Sequence, residues 1–134
     1  MYVLDTNVLS ALRRPDRAPQ VIRWVTAQDE TALYLSVLTL GEIERGISQQ
    51  ETANPQFATD LRAWLDRTAS LFADRILPFD APAARLWGKI SAELGNARVD
   101  VQIAATALVH GATVVTGDAA FAAMGVRVQN PFAT

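Results

Sequence analysis

Four carboxylates in this sequence could act together, and two of them, Asp5 and Asp118, stand where a folded chain rarely leaves a charge without a task. Asp5 closes the apolar run Tyr2-Val3-Leu4, and Asp118 follows Val114-Val115-Thr116-Gly117, so each lies just past a segment that reads as a buried strand. Asp100 precedes Ile103 and Ala104 by three and four residues, which on a helix aims its carboxylate at the start of a core-facing stripe. The positive end of that helix would favour the ionised form by ~0.3 to 1 kcal/mol. The same position suits a helix N-cap, so a capping and a ligating reading both stand for Asp100. Glu42 lies beside Ile43, with Leu38 four residues before and Gly46 four after, at the border of an apolar helix face. It is either a solvated surface acid or a group turned toward a site. Glu44, about 200° further round the helix, faces elsewhere.

If the four converge they repel one another, and without a counterion some would protonate at neutral pH. A divalent cation resolves the conflict. An all-oxygen donor set suits Mg²⁺, which takes one or two direct carboxylates and keeps several waters. Such a site can generate a hydroxide nucleophile, orient a phosphodiester and stabilise the leaving oxygen, so phosphodiester hydrolysis is the chemistry it serves best.

Composition narrows the field further. There is no cysteine and one histidine, His110, so no zinc site of thiolates and imidazoles, no thiol nucleophile and no histidine-pair nuclease can be assembled. His110, just before Gly111 at a helix end, reads as a partner of the helix dipole. Trp24, Trp64 and Trp87 fall on helical stripes and read as core or interface rather than base-stacking platforms. No Gly-rich phosphate cradle is present. Net charge is −2 with a pI near 5.3, which argues against a blanket basic surface. Arg13, Arg14, Arg17 and Arg23 nevertheless cluster closely enough to form a local basic rim, if they are not simply a solvated face.

The elements that must position these groups alternate along the chain. A strand over residues 1–5 leads into a helix through Leu12; Pro15 and Pro19 precede a helix carrying Val21, Ile22, Trp24 and Val25. A strand over 31–36 is followed by a helix holding Leu40, Ile43 and Ile47, with Ser36 or Thr39 as its cap. A helix after Asn54-Pro55 carries Phe57, Leu61, Trp64, Leu65, Thr68, Leu71 and Phe72, and 76–80 reads as a short strand or extended edge. Asp80 also ends an apolar run, but it precedes Ala81-Pro82-Ala83 and a helix with Leu86, Trp87 and Ile90, so it reads as a cap, with Pro82 in the first turn. The spacing predicts a helix over 100–110 with one stripe of Ile103, Ala104, Ala107 and Leu108, a strand over 112–116, a short Ala-rich helix near Phe121 and Met124, and a last strand over 126–128. No clear amphipathic helix follows Asp118. Strands alternating with helices and reading as apolar runs imply a parallel sheet covered on both faces. With no repeat or linker in 134 residues, a single domain over 1–134 is expected.

Four blocks make the sequence recognisable: Asp5-Thr6-Asn7-Val8-Leu9-Ser10, Leu40-Gly41-Glu42-Ile43-Glu44-Arg45-Gly46-Ile47, Asp100-Val101-Gln102-Ile103-Ala104-Ala105-Thr106-Ala107, and Val115-Thr116-Gly117-Asp118. In order and spacing they resemble the motifs of PIN-domain proteins, in particular the VapC-type toxins of bacterial toxin–antitoxin pairs, across essentially the whole chain. The resemblance implies an α/β PIN fold with a central parallel sheet and helices on both faces. It implies a homodimer, dependence on Mg²⁺ or Mn²⁺, endonuclease action on RNA and an antitoxin that blocks the site. Asp5, Glu42, Asp100 and Asp118 carry over as the catalytic metal-site acids, Thr116 as the hydroxyl that orients the first Asp, and Thr6 and Asn7 as supporting residues. In one place the chain departs from the pattern: Gly95-Asn96-Ala97-Arg98-Val99 stands where many relatives have a Leu-Pro pair before the third Asp. Arg98 in that loop, with Arg13 and Arg14, is a candidate contact for substrate phosphate.

Two other classes compete. A non-catalytic PIN module that binds RNA or a protein would need at least one ligand position to be missing, and all four are filled. A phosphate-accepting receiver would need a lysine at the end of a buried strand, and the one lysine, Lys89, follows Trp87-Gly88 in a helical run. With no apolar run of the ~18 residues that span a bilayer, and no charged and apolar leader at the start, a cytoplasmic protein without membrane association is expected.

Overall fold

The computed structural model describes residues 1–133. Five strands form one all-parallel sheet in the order β3-β2-β1-β4-β5: β1 (Tyr2–Leu4), β2 (Leu33–Ser36), β3 (Ile76–Leu77), β4 (Thr113–Val115) and β5 (Val128–Gln129). Six helices connect them: α1 (Thr6–Leu12), α2 (Pro19–Thr26), α3 (Val37–Gln50), α4 (Pro55–Leu71), α5 (Ala81–Leu94) and α6 (Val99–Val109). Because successive side chains on a strand point to opposite faces, Val3 and Val114 enter one core while their neighbours Leu4 and Val115 enter the other. Leu4, Leu35 and Val115 meet Val8, Val21, Ile47 and Leu65 from α1 to α4 on one face. Val3 and Val114 meet Ile103, Ala107, Phe121 and Trp87 on the other. The sheet is therefore covered on both faces, as its unbroken apolar strands predict.

Strand order decides where a ligand can sit. The chain winds outward from β1 through β2 to β3, then crosses back to lay β4 on the opposite side of β1. Where winding reverses, the loops after adjacent strands diverge and leave a crevice at the carboxyl ends. That crevice lies beyond Leu4 and Val115, whose strands are paired in register.

Several boundaries differ from those the sequence predicts, each for a local reason. The strand expected over 31–36 begins at Leu33, because Asp29 accepts from the Thr31 N–H and folds Glu30–Ala32 into a 3₁₀ turn. Ser36, not Thr39, caps α3 through the Leu38 N–H. α6 starts at Val99 with Arg98 in the N-cap position, which removes the capping reading of Asp100 and places it in the first turn. This helix is also buried on more sides than one stripe, since Val101, Ala105 and Thr106 are enclosed as well as Ile103, Ala104 and Ala107. The last strand is Val128–Gln129 rather than 126–128.

Two aspartates that follow apolar runs turn out to share a task. Asp80 accepts from the Ala83 N–H at 3.2 Å and caps α5, with Pro82 tolerated in the first turn. Asp118 also caps: its Oδ1 accepts from the Ala120 N–H at 2.9 Å at the start of a 3₁₀ segment, Ala119–Met124. The sequence places a short Ala-rich helix near Phe121 and Met124 but shows no amphipathic helix after Asp118 and so no cap there; the segment is 3₁₀ and begins directly at Ala119, which makes Asp118 its cap. Capping therefore does not distinguish the two, whereas location does. Asp80→Ala is expected to lower unfolding stability by ~1 kcal/mol, the usual cost of removing a cap. A denaturant midpoint indistinguishable from that of the wild type would refute the capping role.

Candidate active site

The site begins with a constraint at the end of β4. Thr116, fully buried, accepts from the Asp118 N–H at 3.0 Å. An N–H can only donate, so the single hydroxyl proton of Thr116 is left for the Asp5 Oδ2, 2.8 Å away. The other oxygen of Asp5 accepts from the Thr6 N–H at 2.8 Å. Asp5 is thus clamped between the first turn of α1 and the end of β4, and the Asn7 side-chain amide approaches the same threonine at 3.5 Å. Asp5 is 7% exposed, and its carboxyl is pushed above its ordinary value chiefly by burial. The Thr116 and Thr6 hydrogen bonds oppose this, while the nearby charges of Glu42 and Asp118 add to it.

A second hydroxyl pair aims Glu42. The Thr6 Oγ1 lies 2.6 Å from the Glu42 Oε1, and the carboxylate can only accept, so Thr6 donates. Thr39, fully buried, has its hydroxyl oxygen 3.2 Å from that of Thr6 and must supply the proton between them. Glu42 is exposed on α3, and this relay ties it to the N-terminal turn of α1. Sequence alone singled out Thr39 only as a cap. Its place one turn before Glu42 was the available signal.

Asp100 enters from α6. Its Oδ1 accepts from the Val101 N–H at 3.1 Å and its Oδ2 lies 3.7 Å from the Arg98 Nη2. Arg98 precedes the helix because Asn96 folds the loop after Gly95: the Asn96 Oδ1 accepts from the Arg98 N–H at 3.0 Å, and Gly95 ends α5 at φ +65°. This short turn occupies the stretch where the Leu-Pro pattern is missing.

Asp5, Glu42, Asp100 and Asp118 all line one cleft of about 550 Å³, with Thr6 and Asn7. Arg98 is on its rim, and Ile103, which sequence alone assigned only to the core-facing stripe of its helix, lines it with Phe121. Thr116 lies beneath, touching the cleft through Asp5 and Asp118. Arg13 and Arg14 do not line this cleft; they belong to a neighbouring groove. Glu44 is exposed and absent from the lining, as expected. Among the described residues no three acidic or histidine side chains are placed to hold a metal ion together. The donor set nonetheless fits Mg²⁺, which needs one or two direct carboxylates and reaches others through water, and the four acids lining one cleft supply oxygen donors of the kind it takes.

The PIN domain family model matches residues 2–126. The chain is 36% identical to "VapC ribonuclease Y4jK" of Sinorhizobium fredii, over 98% of each protein. It is also 36% identical to "Toxin FitB" of Neisseria gonorrhoeae, over 98% of this chain and 99% of that one. The crystal structure of FitAcB from Neisseria gonorrhoeae superposes with a TM-score of 0.87 at 35% identity, covering 100% of both chains.

The Asp5 environment makes a pH prediction. A carboxyl whose folded value is raised holds its proton more readily in the folded state, so its contribution to stability is present at low pH and is lost as pH rises through the folded value. Asparagine does not titrate. In chelator, the stability of Asp5→Asn relative to wild type should therefore improve as pH rises from about 3 to 7. A difference that stays flat or moves the other way in paired urea titrations would show that burial does not dominate at this residue.

Proposed function

Because this chain belongs to the PIN-domain family, we propose that it is the toxin of a toxin–antitoxin pair, an endoribonuclease that hydrolyses RNA phosphodiester bonds with Mg²⁺, for which Mn²⁺ can substitute. The observation that carries the reading is the convergence of Asp5, Glu42, Asp100 and Asp118 in one cleft at the switch point of the sheet. Their order matches the four motif blocks, and the similarity to a VapC ribonuclease and to FitB supports the nuclease and toxin assignments.

In this reading the four acids hold the cation, directly or through water. The bound ion would polarise a phosphoryl oxygen and lower the pKa of a water. The protein's own part is to fix charge in place. Thr116 keeps Asp5 from rotating, Thr6 and Thr39 swing Glu42 inward from an exposed helix, and the first turn of α6 presents Asp100. Arg98 is the cation on the rim, 3.7 Å from Asp100, and an RNA phosphate entering the cleft can draw it away into a bidentate contact. Asn7 lines the entrance and can donate to a phosphate oxygen.

The proposal includes a homodimer and a cognate antitoxin. An acidic cleft open to a cation also accepts a guanidinium, which binds carboxylates in pairs, so an antitoxin arginine is the expected plug. Among the described residues no helix is long and apolar enough to cross a membrane.

Asp5→Asn and Asp100→Asn should each abolish Mg²⁺-dependent cleavage of cellular RNA while retaining a cooperative unfolding transition. Mg²⁺ should raise the melting temperature of the wild type more than that of either variant, through linkage to the folded state. Undiminished cleavage by both would end the metal-nuclease reading. For the partner, purified antitoxin should suppress cleavage and protect the cleft, and mutation of the arginine that plugs it should restore activity. Cleavage that continues unchanged in the complex would remove the inhibitory role.

A further inference from the structure

Arginines 13, 14 and 17, which the acidic cleft does not use, gather in a groove of about 480 Å³ between the end of α1 and the start of α4. The Arg13 guanidinium lies over the Phe57 ring at 5.1 Å, and Phe132 also lines the groove. Burial and the charges of Arg14 and Arg17 press the Arg13 pKa down, with Asp60 the acid that opposes them. None of the three has an ion-pair partner within 4 Å among the described residues. Three like charges held together with so little compensation form a site for an anion.

The groove is also adjacent to the cleft. Asn7 lines the cleft and Ser10 lines the groove, one helical turn apart on α1, a rise of about 4.5 Å. Phe132, which lines the groove, also lies so close to Gly117, between Thr116 and Asp118, that a Cβ there would come within 2.8 Å of its ring. Only glycine allows this approach. The groove that carries these arginines and two aromatic rings therefore begins within one helical turn of the cleft.

We infer that the Arg13, Arg14 and Arg17 groove binds the single RNA strand next to the scissile bond, with its guanidinium groups on backbone phosphates and the Phe57 and Phe132 rings against a base. The inference rests on the nuclease reading. It also answers an electrostatic difficulty: a chain of net charge −2 with four acids in its cleft must attract a polyanion from somewhere else on its surface. Arginines beside aromatic rings next to a hydrolytic cleft favour a nucleic acid strand over an acidic peptide.

The test uses the whole protein, total cellular RNA and a mixed-sequence single-stranded RNA, at fixed Mg²⁺ and varied KCl. Arg14→Gln with Arg17→Gln, which leaves the Arg13 and Phe57 stack intact, should raise KM about tenfold with kcat within about twofold, because it removes uniform binding. The slope of log(kcat/KM) against log salt should become shallower by about 1.4, since each single-strand phosphate that is no longer neutralised accounts for about 0.7. Arg14→Lys with Arg17→Lys should restore most of the salt slope, since charge is kept, which a merely structural role would not require. Unchanged KM and slope in the glutamine variant, while wild type cleaves, overturn the groove assignment alone, even where that variant binds an acidic protein partner less well. Absence of cleavage by the wild type on every RNA, with Mg²⁺ or Mn²⁺, overturns the nuclease reading and this inference with it.

Discussion

The hydroxyl of Thr116 can point only one way, and the cleft is organised around that fact. A backbone N–H from Asp118 takes one of its lone pairs, so its proton must go to Asp5. The two residues are 111 positions apart in the chain. They meet only because β4 crosses the sheet to pair with β1 in register, Leu4 opposite Val115, so that the residues following each strand emerge side by side. The buried pairs Val3 with Val114 and Leu4 with Val115 hold that register from both faces, because a slip of one residue would exchange every side chain between the two cores. A change that loosens either core should therefore be felt at Asp5 before it is felt at the rim.

Three of the four acids in the cleft are also tied to their own backbone. Asp5 accepts from the Thr6 N–H, Asp100 from Val101 and Asp118 from Ala120. The bonds at Asp5 and Asp118 satisfy donors that helix starts leave unpaired, the reason aspartates begin helices anywhere, whereas Asp100 sits inside the first turn of α6 and the Val101 N–H also reaches the Arg98 carbonyl. What differs is the second oxygen: at Asp5 it meets Thr116, and at Asp100 it faces Arg98 and the cleft. Glu42 has no such backbone anchor and depends instead on two threonine hydroxyls. The longer side chain on an exposed helix face needs an external relay, and α1 and α3 must stay packed for that relay to exist.

This division explains how much was legible in the sequence. The parallel sheet and its helix-covered faces followed from apolar runs, the strand-end places of Asp5 and Asp118 from the acids that close two of those runs, and the inward aim of Asp100 from its spacing before Ile103 and Ala104. Ser36 as one of two cap candidates and Asp80 as a cap were likewise local. Glu42 was ambiguous, because a residue at the border of a helix face is decided by what stands opposite it, and Thr6 is 36 positions away. The same limit hid Thr39, whose hydroxyl matters only through Thr6. The capping role of Asp118 was missed for another reason: Ala119–Met124 forms a 3₁₀ segment, which has too few residues and the wrong period to show a stripe. The breadth of burial on α6 was hidden as well, since alanine and threonine give a weak apolar signal until a neighbouring helix encloses them.

The two basic features of the surface differ in the charge that surrounds them. Arg98 sits within the acidic cleft, near enough to Asp100 to neutralise it in part, so any anion it meets must compete with a carboxylate. Arg13, Arg14 and Arg17 stand beyond the first turn of α1, where no carboxylate lies within ion-pair distance among the described residues, and their mutual repulsion raises the gain from an arriving phosphate. In a protein of net charge −2 this separation matters more than the total. A negative cleft alone favours a cation, and a basic groove alone favours a polyanion. Placed one helical turn apart along α1, they match the proposed metal ion and the RNA backbone on which it would act.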